Sequence, residues 1–204
     1  MKYIKMATSG NFGNMISVLI ASIVLPFLPM LPIQILTQNL LCDLSQITIP
    51  FDHMDQEYLQ EPRKWETKSI KSFLLFFGPL NSLFDILCYG VMWWIIGANT
   101  TEFSPLFQCG WFLFGTISQV SAIQIIRTAK IPFLESSSSW PLYVSSGVII
   151  LVTALIGFTD GASWFDLQKA PDSFILWLAL LVLGYCFVTQ VCKKVYMRHF
   201  GSWL

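Results

Sequence analysis

Apolar stretches long enough to cross a bilayer recur six times in this sequence, and that recurrence leaves few folds open. They run over 7–26, 30–48, 71–97, 106–127, 140–159 and 172–192. About twenty apolar residues span a bilayer core as a helix. The expected fold is an all-α, polytopic membrane helix bundle with six transmembrane helices, one domain covering residues 1–204. Composition agrees: 54% of residues are hydrophobic and only 12% charged, roughly half the charged share of a soluble domain. So little polar surface could not cover this much apolar surface in water.

The basic residues give the bundle a direction. If the six stretches alternate, Lys2, Lys5, Arg63, Lys64, Lys68, Lys71, Arg127, Lys130, Lys193, Lys194 and Arg198 share one side, and only Lys169 lies on the other. Cytoplasmic loops are enriched in Lys and Arg, so both termini and the charged loop 49–70 are expected in the cytoplasm. Pro26, Pro29 and Pro32 mark a tight hairpin at the opposite side. Trp93, Trp94, Trp140 and Trp164 fall near stretch ends, where aromatic belts form. The Met1–Lys5 start could open a secretory signal. However, Ser9, Asn11 and Asn14 interrupt its apolar region and no small-residue cleavage site follows.

Several function classes drop out. The net charge is +0 with no basic run, so nucleic acid is not an expected partner. Cys42, Cys88, Cys109, Cys186 and Cys192 are scattered without a C-x-x-C pair and read as packing residues. His53 and His199 lie outside the stretches, which leaves little material for a zinc site, a catalytic triad or an intramembrane protease.

What remains is a set of polar side chains at membrane depth. Asp43 lies in the second stretch with Asn39 four residues before it, and Asn11 and Asn14 lie in the first. Each pair shares one face of its helix. Taking Leu28 as the hairpin apex, Asn14 lies 14 residues back and Asp43 lies 15 forward. At about 1.5 Å per residue both sit about 21 Å from the apex, so antiparallel neighbours would join the two faces at one level. Carboxylate and amide oxygens are hard ligands suited to magnesium or calcium. A charge at this depth is costly and marks a task by default. Spacing alone does not choose among magnesium, calcium and protons, and helix-to-helix hydrogen bonding with a protonated Asp43 fits it too. Gly10 and Gly13 flank Asn11 and permit close approach or local opening. In the third stretch, Gly78-Pro79 suggests a kink. Asn81 and Asp85 there, four apart, fit either ion contact or intramembrane polar support between helices, and the second reading is favoured.

These residues carry a resemblance. Ser9-Gly-Asn-Phe-Gly-Asn14 with Pro32-Ile-Gln-Ile-Leu-Thr-Gln-Asn-Leu-Leu-Cys-Asp43 resembles the fifth and sixth membrane helices of P-type cation ATPases. Leu25-Pro-Phe-Leu-Pro-Met-Leu-Pro32, Ile49-Pro-Phe-Asp52, Phe107-Gln-Cys-Gly-Trp111 and Ile131-Pro-Phe-Leu-Glu135 resemble the bacterial magnesium-importing members. The resemblance covers nearly the whole chain and implies the last six of ten helices of a multi-pass protein in the bacterial inner membrane. It implies Asn11, Asn14, Asn39 and Asp43 as ligands of a transported magnesium ion. It also implies that the loop from Asp52 to Lys68, with Asp52 and Asp55, couples ion occupancy to phosphorylation. Calcium pumps carry a glutamate at the position of Asn14 and a threonine at that of Cys42, which disfavours the usual calcium site.

Length sets the limit. A complete pump also has amino-terminal helices, one of them broken by proline, and actuator, nucleotide-binding and phosphorylation domains that use ATP. None of their motifs is in these 204 residues, so the segment alone is expected to be inactive. It is expected to be a fragment, a truncated product or half of a split pump, and Met1, falling where the family continues a helix, favours truncation. The competing expectation is a stand-alone six-span protein that binds or regulates a pump without transporting.

Overall fold

In the computed structural model the described residues are 2–52, 67–132 and 135–200. They form six α-helices: α1 Lys2–Val24, α2 Pro32–Gln46, α3 Thr67–Gly90, α4 Ser104–Ile126, α5 Trp140–Phe158 and α6 Ser173–Phe200. A π-helical turn, Val91–Ile95, extends α3, and Gly97, at φ 81°, turns the chain after it. No β-sheet occurs among the described residues. The fold is an all-α membrane helix bundle.

Five helices are long and apolar enough to cross a membrane. The exception is α2, whose 15 residues reach only about 22 Å at 1.5 Å each. Non-helical segments extend it at both ends: residues 25–31 before it, and a 3-10 turn, Ile49–Phe51, after it. Proline suits the first position of a helix because its missing N–H would have no partner there. Pro32 starts α2 in that way, and the Gln34 side chain accepts the N–H of Leu31 at 2.9 Å.

Successive helices alternate in direction. At the hairpin end, Gln108 Nε2 donates to Leu28 O (2.9 Å) and Gln34 Nε2 to Phe165 O (3.1 Å). At the other end, Arg127 meets Asp52 and Tyr196 packs on Phe73. Trp94 and Trp164, near the hairpin end, and Trp140, near the other, are exposed, as expected of rings at the two membrane surfaces.

The centre is α4, of which 83% of the apolar window is buried, against 28% for α5 and α6. It packs on α2, α3, α5 and α6, with Trp111, Phe112, Leu113 and Phe114 all buried. Helix α1 lies along α3 instead. Two glycines permit that contact: a Cβ on Gly13 would sit 2.6 Å from Asn81 Cβ, and one on Gly78 would sit 2.5 Å from the Phe12 ring. Of the two roles open to Gly13, close approach is the one realised. Cys42, Cys88 and Cys109 are buried free thiols, and Cys186 and Cys192 are half-buried.

Candidate cation groove

Because α1 packs on α3 while α2 packs on α4 and α5, a groove opens between α1 and α2. Its volume is about 480 Å³, and Asn11, Asn14, Gln38, Asn39 and Trp111 line it together with apolar Met15, Val18, Leu19, Met30 and Ile35. Three of the four side chains singled out by spacing thus share one concavity. Asn14 and Asn39 are half-buried on its walls and Asn11 is exposed.

Asp43 does not line this groove. It is exposed and lines a separate concavity at the far end of α2 with Leu40, Leu44, Gln46, Ile47, Ile49 and Pro50. The helical wheel explains this. The stripe that α2 buries carries Gln34, Gln38, Leu41, Cys42, Ser45 and Gln46. Asn39 and Asp43 each follow a buried residue by one position, which is 100° of rotation at 3.6 residues per turn. They therefore stand on the flank of α2. The even-depth estimate also assumed continuous helices, whereas residues 25–31 are not helical.

Behind the groove lies a second polar layer whose Asp85, Asn81 and Ser82 bond from helix to helix. Asp85 is buried. Its Oδ2 accepts the Ser17 hydroxyl at 2.5 Å and its Oδ1 accepts the Trp111 indole N–H at 3.0 Å. One carboxyl thus ties α3 to α1 and to α4. Asn81 Oδ1 accepts the Tyr185 hydroxyl at 2.6 Å, and its Nδ2 donates to Ser9 O at 3.5 Å. Ser82 adds a 2.9 Å bond to Gly13 O, between the two groove asparagines of α1. Asp85 and Asn81 hold the walls of the groove, and Trp111 belongs to both layers. A small void lined by Asn14, Asn81, Asp85, Ser118, Gln119 and Tyr185 separates them.

Spacing did not point to Ser17, Gln38 or Trp111. A signal existed for Gln38, which stands four residues after Gln34 and four before Cys42 on the buried stripe. The tryptophan carried none, since nothing local distinguishes a wall residue from a core residue. Of the expected coupling-loop residues, Asp55 lies outside the described residues. Asp52 is described, and its carboxylate pairs with Arg127 at 2.8 Å.

Comparison with known proteins agrees with this architecture. Residues 27–195 match the family described as "Cation transporting ATPase, C-terminus". The chain is 47% identical over 201 residues to "Magnesium-transporting ATPase, P-type 1" of Escherichia coli (strain K12), an alignment covering 98% of this chain and 22% of that protein. Two Salmonella typhimurium (strain LT2) proteins of the same description are 46% and 44% identical over 98% and 99% of the chain, again 22% of each. The chain thus spans about a fifth of the length of these relatives. It belongs to the cation-transporting ATPases and corresponds to their carboxy-terminal membrane segment.

Proposed function

We propose that this segment is the ion-pathway portion of an ATP-driven magnesium transporter and supplies part of its cation site. The observation that carries the reading is the α1–α2 groove, where Asn11, Asn14 and Asn39 share one concavity. Amide oxygens are hard ligands, and magnesium keeps several waters while binding one or two carboxylates. A groove of about 480 Å³ has room for such a hydrated ion together with further protein. Asp43, outside the groove but one helical turn along α2 from Asn39, is the carboxylate nearest to Asn39 in the sequence.

The exposure of Asp43 supports the same reading. A charge on the open face of a membrane helix costs several kcal/mol unless a partner or water covers it. The cover proposed here is the amino-terminal helix bundle of a longer pump, with the proline-broken helix seated in the groove. ATP is used by actuator, nucleotide-binding and phosphorylation domains on the rest of that polypeptide. The excess of Lys and Arg at the Asp52 end supports a cytoplasmic position for both termini, and the reading takes the bundle to lie in a bacterial inner membrane. The loop after Asp52 couples ion occupancy to those domains.

The test is made on the native gene product at its full length. Wild type hydrolyses ATP in response to magnesium, and Asp43→Ala abolishes magnesium-dependent phosphoenzyme turnover while the protein stays folded. Unchanged transport in Asp43→Ala removes it from the site. A native product with no ATPase activity returns the chain to the stand-alone reading.

A further inference from the structure

Asp52 was expected to open a loop that couples ion occupancy to phosphorylation, and its own side chain is committed within the bundle. Oδ2 pairs with Arg127 Nη1 at 2.8 Å, with side-chain exposures of 10% and 5%. Oδ1 accepts the backbone N–H of Ser139, also at 2.8 Å. Arg127 Nη2 donates to Ser136 O at 2.9 Å. One carboxylate thereby joins the residue that ends α4 to the residue that starts α5, since Arg127 and Ser139 are their caps. Both charges suit these places, because a helix C-terminus favours a cation and an N-terminus an anion.

The end of α2 is tied to the same hairpin one level deeper. The Ser145 hydroxyl lies 2.7 Å from that of Thr48 and donates to Ser45 O at 3.1 Å. Between them these contacts hold the whole run from Ser45 to Asp52 against α5 and the α4–α5 connection. The stretch does not leave α2 as a free tether. It leaves as an arm clasped at two points, and the coupling loop begins beyond the second.

We propose that Arg127 is a positioning residue for coupling: through Asp52 it fixes where the coupling loop departs, so that movement of α2 reaches the loop by way of the α4–α5 connection. This rests on the transporter reading above, in which α2 carries ion-site residues. Arg127 touches neither ion nor nucleotide in this scheme. Its removal leaves a largely buried carboxylate without its cation, which favours release of the arm.

The experiment uses the full-length native product in proteoliposomes, with magnesium uptake and ATP hydrolysis measured together. Absence of magnesium-stimulated hydrolysis in wild type defeats the transporter reading itself, before any variant is compared. Given that activity, Arg127→Gln is expected to keep the wild-type level of phosphoenzyme formed from ATP while uptake per ATP falls about tenfold, less than the full cost of a broken buried pair because Asp52 keeps the Ser139 N–H. Asp52→Asn, which keeps an acceptor for Ser139 N–H, should fall by a similar factor. The double variant should be no worse than either alone, because one clasp is lost only once. Arg127→Lys should recover part of the ratio. The proposal is overturned by unchanged uptake per ATP or by additive losses in the double variant. Parallel loss of phosphoenzyme and uptake, or failure of both single variants to accumulate, also overturns it, since the clasp is then a folding contact only.

Discussion

Asp85 and Asp43 are both carboxylates in helices of a membrane bundle, but one is sealed and the other stands open. Asp85 is buried with a hydroxyl and an indole N–H on its two oxygens. Asp43 is on the surface of α2, and among the described residues its side chain makes no hydrogen bond. The contrast extends to the layers around them. On the α3–α4–α6 side, Asn81, Ser82 and Tyr185 are engaged helix to helix. On the α1–α2 side, Asn11, Asn14 and Asn39 face a groove. Polar groups in a bilayer are kept for glue or for a task. On the proposed reading this bundle separates the two by layer, with the glue holding the walls of the groove.

That separation can be broken at four points, taken here from the largest expected effect to the smallest, with Asp43→Leu as the control for Asp85. Gly13→Ala drives a Cβ to 2.6 Å from Asn81 Cβ and 3.0 Å from Gly78 O. It should cost about 3 kcal/mol of bundle stability as an overpacked contact, read as a lowered unfolding midpoint in detergent. Asp85→Leu strands the Trp111 N–H and should cost about 2 kcal/mol in the same assay. Asp43→Leu should cost nothing, and an equal loss in both would erase the distinction between the acids. Gln34→Leu removes the amide that reaches Gln108 Oε1 and Phe165 O, both at 3.1 Å. The interhelical average suggests about 0.6 kcal/mol for that loss. Asn11→Ala, on the groove face, should stay within about 0.5 kcal/mol of wild type. A larger loss there would mean that the groove asparagines are glue as well.

How much of this the sequence carried depends on the range of each interaction. The long apolar runs gave the helices away, because bilayer thickness imposes a length that local composition reveals. The pairs Asn11–Asn14 and Asn39–Asp43 were legible as shared faces for the same local reason. Which face meets which helix was not legible. The buried stripe of α2, through Gln34, Gln38 and Cys42, is itself polar in part, so hydrophobic contrast could not separate it from the flank bearing Asn39 and Asp43. The partner of Asp52 lay 75 residues away at Arg127, and no spacing rule reaches that far. Nor could composition show that Lys193, an ordinary cation in sequence, is buried with its amine on the carbonyls of Ile125, Thr128 and Lys130 at the end of α4.

The division between holding and handling is tested most directly by magnesium uptake per folded molecule in Asn14→Ala and Asn81→Ala of the full-length native product. The two residues sit on facing helices, one on the groove and one behind it. Asn14→Ala should retain wild-type stability and lose most magnesium uptake. Asn81→Ala should lose stability and keep uptake for each molecule that folds. The reverse pattern, with Asn81 needed for uptake and Asn14 dispensable, would contradict a cation path through the α1–α2 groove.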